Sequence, residues 1–99
     1  MQSEVAEIIA ILERVRAIVR ATPQILDWQR RYDEVDELVS DLDQHAARLR
    51  QGDPSGLREL GYLFAPTGSF CEIAASSGWL DEYTELGNRF DRLHARLKG

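Results

Sequence analysis

The chain has 99 residues, enough for one domain over 1–99 with one modest core. Its hydrophobic fraction of 43% argues against general disorder, and a net charge of −5 argues against a nucleic-acid surface, which would show as clustered Lys and Arg. The single cysteine, Cys71, excludes an intramolecular disulfide and leaves a cysteine-based zinc site without ligands.

The first predicted helix spans about 3–21. Ser3 is placed to cap it, with Glu4 and Glu7 in its first turns. Val5, Ile8, Leu12, Val15 and Val19 recur at spacings of three and four, which defines one apolar stripe, and Ile9, Ile11 and Ile18 broaden it. The opening MQSEVAEIIA carries acids where a secretory leader wants bases, so no leader is expected there, and no apolar run approaches a membrane span.

Thr22-Pro23 is the first break, with Thr22 as a candidate cap and Pro23 as a first helical residue. Beyond it, Ile25, Trp28, Tyr32, Val35, Val39, Leu42, Ala46 and Leu49 alternate by three and four, which is the seam of a heptad repeat. The spacing predicts one helix over about 23–51, roughly 40 Å long at 1.5 Å per residue. Such a helix outreaches the first, so either the C-terminal helix or a second copy of the protein is expected to cover the rest.

Gly52 is a candidate left-handed cap, and Asp53-Pro54 a helix restart. A short apolar helix follows around Leu57, Leu60, Leu63 and Phe64 and stops at Ala65-Pro66-Thr67-Gly68. Ser69 and Glu72 have the spacing of a capping box, and Gly78 ends the short helix that box would start. Trp79, Tyr83, Leu86, Phe90, Leu93 and Leu97 then predict a last helix over about 79–97, with Arg89, Arg92, Arg96 and Lys98 toward its end. The expected fold is therefore all-α: an antiparallel helical bundle of three principal helices (about 3–21, 23–51 and 79–97), with one or two short helices between the second and third.

No catalytic, cofactor-binding or metal-ligating motif is evident, so no enzyme activity and no cofactor are expected. Asp41 and His45 lie four apart, and Asp91 and His94 three apart, but the chain lacks the Glu-x-x-His pattern of di-metal bundles. Both histidines are expected at the surface or core boundary with local ion-pair partners. Cys71 falls in a helix first turn without a nearby base, which reads as a small semi-buried residue. No Gly-x-Ser-x-Gly elbow accompanies the serines.

Two surfaces are candidates for binding a partner. Asp33, Glu34, Asp36, Glu37, Asp41 and Asp43 follow one another without an interleaved base, so their repulsion would be relieved by a basic protein. The segment FAPTGSFCEIAASSGW over 64–79 is aromatic and nearly free of charge; Phe70 and Trp79 are either core or an exposed recognition patch. Eleven arginines against one lysine point to a GC-rich, bacterial coding bias. The leading expectation is a non-enzymatic interaction module of a bacterial cytosol. It would neutralise or escort a basic protein as an immunity protein, antitoxin or chaperone does, and would bind neither nucleic acid nor membrane. The alternatives are a self-associating scaffold with a homodimeric four-helix arrangement, and a small ligand-binding protein or enzyme with an inter-helix pocket near Cys71, His94 and Trp79.

Overall fold

The computed structural model describes residues 2–27, 29–66 and 68–98, and the side chains of Gln2 and Lys98 lie outside that description. Among the described residues the protein is all-helical, with five α-helices and one short 3-10 turn. None of these helices is long and apolar enough to cross a membrane.

Helix α1 (Gln2–Ala21) follows its stripe: Ile8, Ile11, Leu12, Val15, Ile18 and Val19 are buried. Ser3 does not cap it. It lies inside the first turn, where its hydroxyl donates to Glu4. The helix ends where expected. Thr22 serves the end of α1 and not the start of another helix, because its hydroxyl donates to the Ile18 carbonyl at 3.3 Å.

The long second helix is not formed. Residues 22–34 are non-helical at every described position, and α2 covers only Val35–Arg50. Trp28, one of the seam residues, lies outside the described residues. The reason for the break is local. The buried side chain of Gln29 donates to the carbonyls of Leu26 (2.9 Å) and Tyr32 (2.6 Å), and accepts from the backbone amides of Arg31 and Tyr32 (both 2.9 Å). One amide side chain thus satisfies four backbone groups that a helix would have paired along its own length.

Distant contacts hold the same segment. Gln24 accepts from the Trp79 indole at 2.9 Å, and the Ile25 amide donates to the Ser77 hydroxyl at 2.8 Å. Ile25, assigned to the seam by its spacing, is 47% exposed. At the start of α2, Glu34 is extended, and the Glu37 carboxylate accepts from the amides of Asp33 (3.0 Å) and Glu34 (2.9 Å). With 16 residues against 20 in α1, α2 does not outreach its neighbour; its Val39, Leu42, Ala46 and Leu49 are buried within the chain and Val35 is half-buried. The geometric reason for a second copy is removed.

The next turn forms as its residues predict. Gly52 takes φ +79°, the Asp53 amide reaches the Arg48 carbonyl at 2.9 Å, and the Asp53 carboxylate accepts from the Ser55 amide at 2.9 Å. That last bond holds the Asp53 carboxyl below its ordinary value. A 3-10 turn over Pro54–Gly56 leads into α3 (Leu57–Leu63). Helix α4 (Ser69–Ser77) has Gly68 at its N-cap and Ser69 as its first helical residue, so the expected Ser69–Glu72 capping box is absent. Gly78, at φ +89°, terminates it, and α5 (Leu80–Lys98) follows.

Helix α1 packs against both α2 and α5, while α3 and α4 pack against α5. The aromatic residues of the segment 64–79, Phe64, Phe70 and Trp79, prove to be core. Phe64 is its hub, stacked on Phe90 (4.3 Å between centroids) and on Tyr83 (5.9 Å), and edge-on to Phe70 (5.0 Å). Ion pairs such as Arg14–Glu82, Arg50–Glu13 and Arg89–Glu7 join helices at the surface, where each adds little to stability.

Candidate functional site

The site is built where the segment 22–34, non-helical at its described positions, meets α2. Asp41 and His45 are four residues apart on α2 and so share one face. Glu59 comes from the first turn of α3, and Arg31 and Tyr32 come from the loop that Gln29 folds. Tyr32 is seated by stacking on Phe70, with ring centroids 6.5 Å apart.

Hydrogen bonds and ion pairs link four of these side chains, Arg31, Tyr32, Asp41 and Glu59. The Tyr32 hydroxyl donates to Asp41 Oδ2 at 2.5 Å. Arg31 Nε donates to the Tyr32 hydroxyl at 3.2 Å and lies 3.6 Å from Asp41 Oδ2, while Arg31 Nη2 pairs with Glu59 Oε1. Burial, and then the neighbouring Asp41 carboxylate, push the Tyr32 phenol well above its ordinary value of 10. The phenol is therefore a donor throughout the neutral range, which fixes the orientation of Asp41.

His45 is the unexpected member. It was expected near the surface; it is 1% exposed. Its burial comes from chain that follows α2, because Gly56 lies directly on the ring. A Cβ at Gly56 would sit 2.8 Å from His45 Nδ1. Neither ring nitrogen has a hydrogen-bond partner. Nε2 faces Asp41 Oδ1 at 3.6 Å and Glu59 Oε1 at 3.4 Å. An unsatisfied buried polar group costs about 1–3 kcal/mol, so this arrangement is held against its own preference.

Beside the cluster, Arg31, Tyr32, Asp36, Glu37, Ser40, Asp41 and Gln44 line an open cleft of about 630 Å³. The expected acidic block is thus only partly brought together. Asp36, Glu37 and Asp41 share this cleft, while Asp43 turns to α1 and pairs with Arg16 at 2.8 Å. Asp33 and Glu34 are exposed ahead of α2. The block is also not uncompensated. Arg20 approaches Asp36 at 3.8 Å, Arg31 serves Asp41, and Glu37 is spent on the backbone. Those bases lie outside the run in sequence, so its composition could not show them.

Phe70 (1% exposed) and Trp79 (8%) are core residues and cannot form a recognition patch on the folded chain. Trp79 meets Tyr83 edge-on and spends its indole proton on Gln24. His94 lines a second cleft of about 660 Å³ with Leu57, Arg58, Gly61, Tyr62, Phe90 and Asp91, but Cys71 and Trp79 do not line it. The His94 ring stacks on Phe90, and its Nε2 lies 3.1 Å from the Leu57 carbonyl, a longer-range partner than the Asp91 expected from spacing.

Gln29, Arg31, Tyr32, His45 and Glu59 were missed as site residues. The one sequence signal was the Asp41-x-x-x-His45 spacing; the remaining three-dimensional context comes from 29–32 and 56–59. Comparison with protein-family models, curated proteins and solved structures finds no significant match.

Proposed function

We propose that this chain is a non-enzymatic protein-binding module that receives a basic segment of a partner protein in the cleft on α2. The scaffold for it is the packing of α1, α2 and α5, with the two short helices closing the core. The observation that carries this reading is the cleft itself: it is open and lined by Asp36, Glu37 and Asp41, of which Asp36, its side chain 88% exposed, is the most open to a partner. Arg31 offers an internal precedent for the chemistry, since its guanidinium already spans two carboxylates of the cluster. The negative net charge favours encounter with a basic surface. A small acidic protein of this kind suits the neutralising or escorting role of an immunity protein, antitoxin or chaperone in a bacterial cytosol.

Fluorescence anisotropy with a labelled arginine-rich peptide tests this. The expected result is binding that weakens steeply with salt and drops at least ~5-fold in the Asp33→Asn/Asp36→Asn variant, which removes two exposed charges. Equal affinity of the two proteins at low salt contradicts the reading.

A further inference from the structure

We propose that Asp41, His45 and Glu59 form a binding site for a divalent first-row transition cation of the zinc class. The proposal goes beyond the peptide cleft and shares only Asp41 with its carboxylates.

Three potential ligand atoms, His45 Nε2 and one oxygen each from Asp41 and Glu59, lie within 4.8 Å of one another. Acidic side chains alone would not define a site. What does is the imidazole: fully buried, unpartnered at both nitrogens, and aimed by Nε2 at two carboxylate oxygens. Zinc bonds nitrogen and oxygen at about 2.0–2.1 Å, so two ligands of a tetrahedral ion stand about 3.4 Å apart. The separations of 3.4 and 3.6 Å from Nε2 are close to that spacing. They are long for hydrogen bonds and right for atoms sharing an ion.

The surroundings fit the same chemistry. Tyr32 holds Asp41 through Oδ2, which leaves Oδ1, the oxygen facing His45, for the cation. Two carboxylates and a neutral imidazole match a divalent charge. The mixture of one nitrogen and two oxygens suits zinc over magnesium or calcium, which take oxygen ligands alone. A fourth position would open to the cleft side, where Arg31 now lies. Arg31 pairs with the Glu59 oxygen that also faces His45, so guanidinium and metal compete for it. Arg31 is 41% exposed and can swing into the cleft to admit the ion.

Titration of the full metal-free chain with Zn2+, followed by calorimetry and in parallel by Co2+ absorption, tests the proposal. One strong site is expected, with the intense visible bands of tetrahedral Co2+, and with Zn2+ favoured over Mg2+ by at least ~100-fold. Glu59→Gln, a change at a partly exposed side chain, should weaken Zn2+ at least ~10-fold. Arg31→Gln should strengthen it, because the competing cation is gone. His45→Gln should abolish the Co2+ bands; if that variant does not fold, the Glu59 and Arg31 pair still decides. Equal affinity for Zn2+ and Mg2+, an unchanged affinity in Glu59→Gln, or weaker binding in Arg31→Gln would overturn the site. None of these readouts involves a peptide, so they stand or fall apart from the partner-binding reading.

Discussion

Phe64 touches three other aromatic rings from a buried position at the C-terminal end of α3. Truncating it removes the hub of the core, and Phe64→Ala should cost about 3–5 kcal/mol in chemical denaturation. A value under ~1 kcal/mol would mean that the rings do not meet there. Gly56 is a subtler case. Its φ is ordinary, so only space is at issue, and a Cβ would press on the His45 ring. Gly56→Ala should destabilise by about 1–3 kcal/mol although alanine favours helices. Two tyrosines set an alkaline limit. Tyr32 and Tyr83 both have phenols raised above 10, first by burial, then by Asp41 for Tyr32 and by Cys71 and Asp91 for Tyr83. The folded chain keeps protons that the unfolded chain releases near pH 10. Their contribution is therefore complete below about pH 10 and is lost as pH rises from there toward the folded-state values. Urea midpoints should fall steeply above pH 10, and the Tyr32→Phe/Tyr83→Phe variant should flatten that fall; a wild-type midpoint constant through this range contradicts the burial of both hydroxyls.

The segment 22–34 is the element on which most depends. Gln29→Ala removes the bonds to Leu26, Arg31 and Tyr32 together and should cost about 1–3 kcal/mol, with faster amide exchange confined first to 26–34. Uniform loss of protection across the molecule would speak against a locally held loop. Helices α1 and α5 were legible because long amphipathic stripes met ordinary end signals. Gly52, Asp53 and Pro54 worked for the same reason: turn chemistry is local. The heptad spacing of Ile25 and Tyr32 was misleading. Tyr32 is buried, as that spacing requires, but from a non-helical backbone, and Ile25 is exposed. Periodicity registers which residues are apolar, and cannot register that a glutamine side chain will take over the backbone bonds.

At the scale of the molecule, the helices pack into a body with a Cα radius of gyration of 12.6 Å, close to the ~13 Å usual for a domain of this length. With the seam of α2 buried inside the chain, a single copy completes its own core, and sedimentation at micromolar concentration should show a monomer. A dimer would require a surface other than the seam. The acidic block was visible in the sequence, but its partners were not, because Arg16, Arg20 and Arg31 reach it only through the fold. His45 was misplaced for a related reason. It lies on the part of the expected helix that does form, and the Gly56 that covers its ring follows α2 after a turn.

The Arg31 and Tyr32 side of the site depends on the chain leaving the helical path between Thr22 and Glu34. In one continuous helix, Tyr32 would lie nine residues and about 14 Å along the axis from Asp41, too far for the hydroxyl to reach the carboxylate. Backbone 13Cα chemical shifts across 22–51 measure this directly. Helical shifts should begin at Val35 and be absent from 23–27 and 29–34, with Tyr32 and Arg31 thereby free to close on Asp41. An unbroken run of helical shifts from Pro23 to Gln51 would contradict the fold of this segment and take Arg31 and Tyr32 out of the cluster.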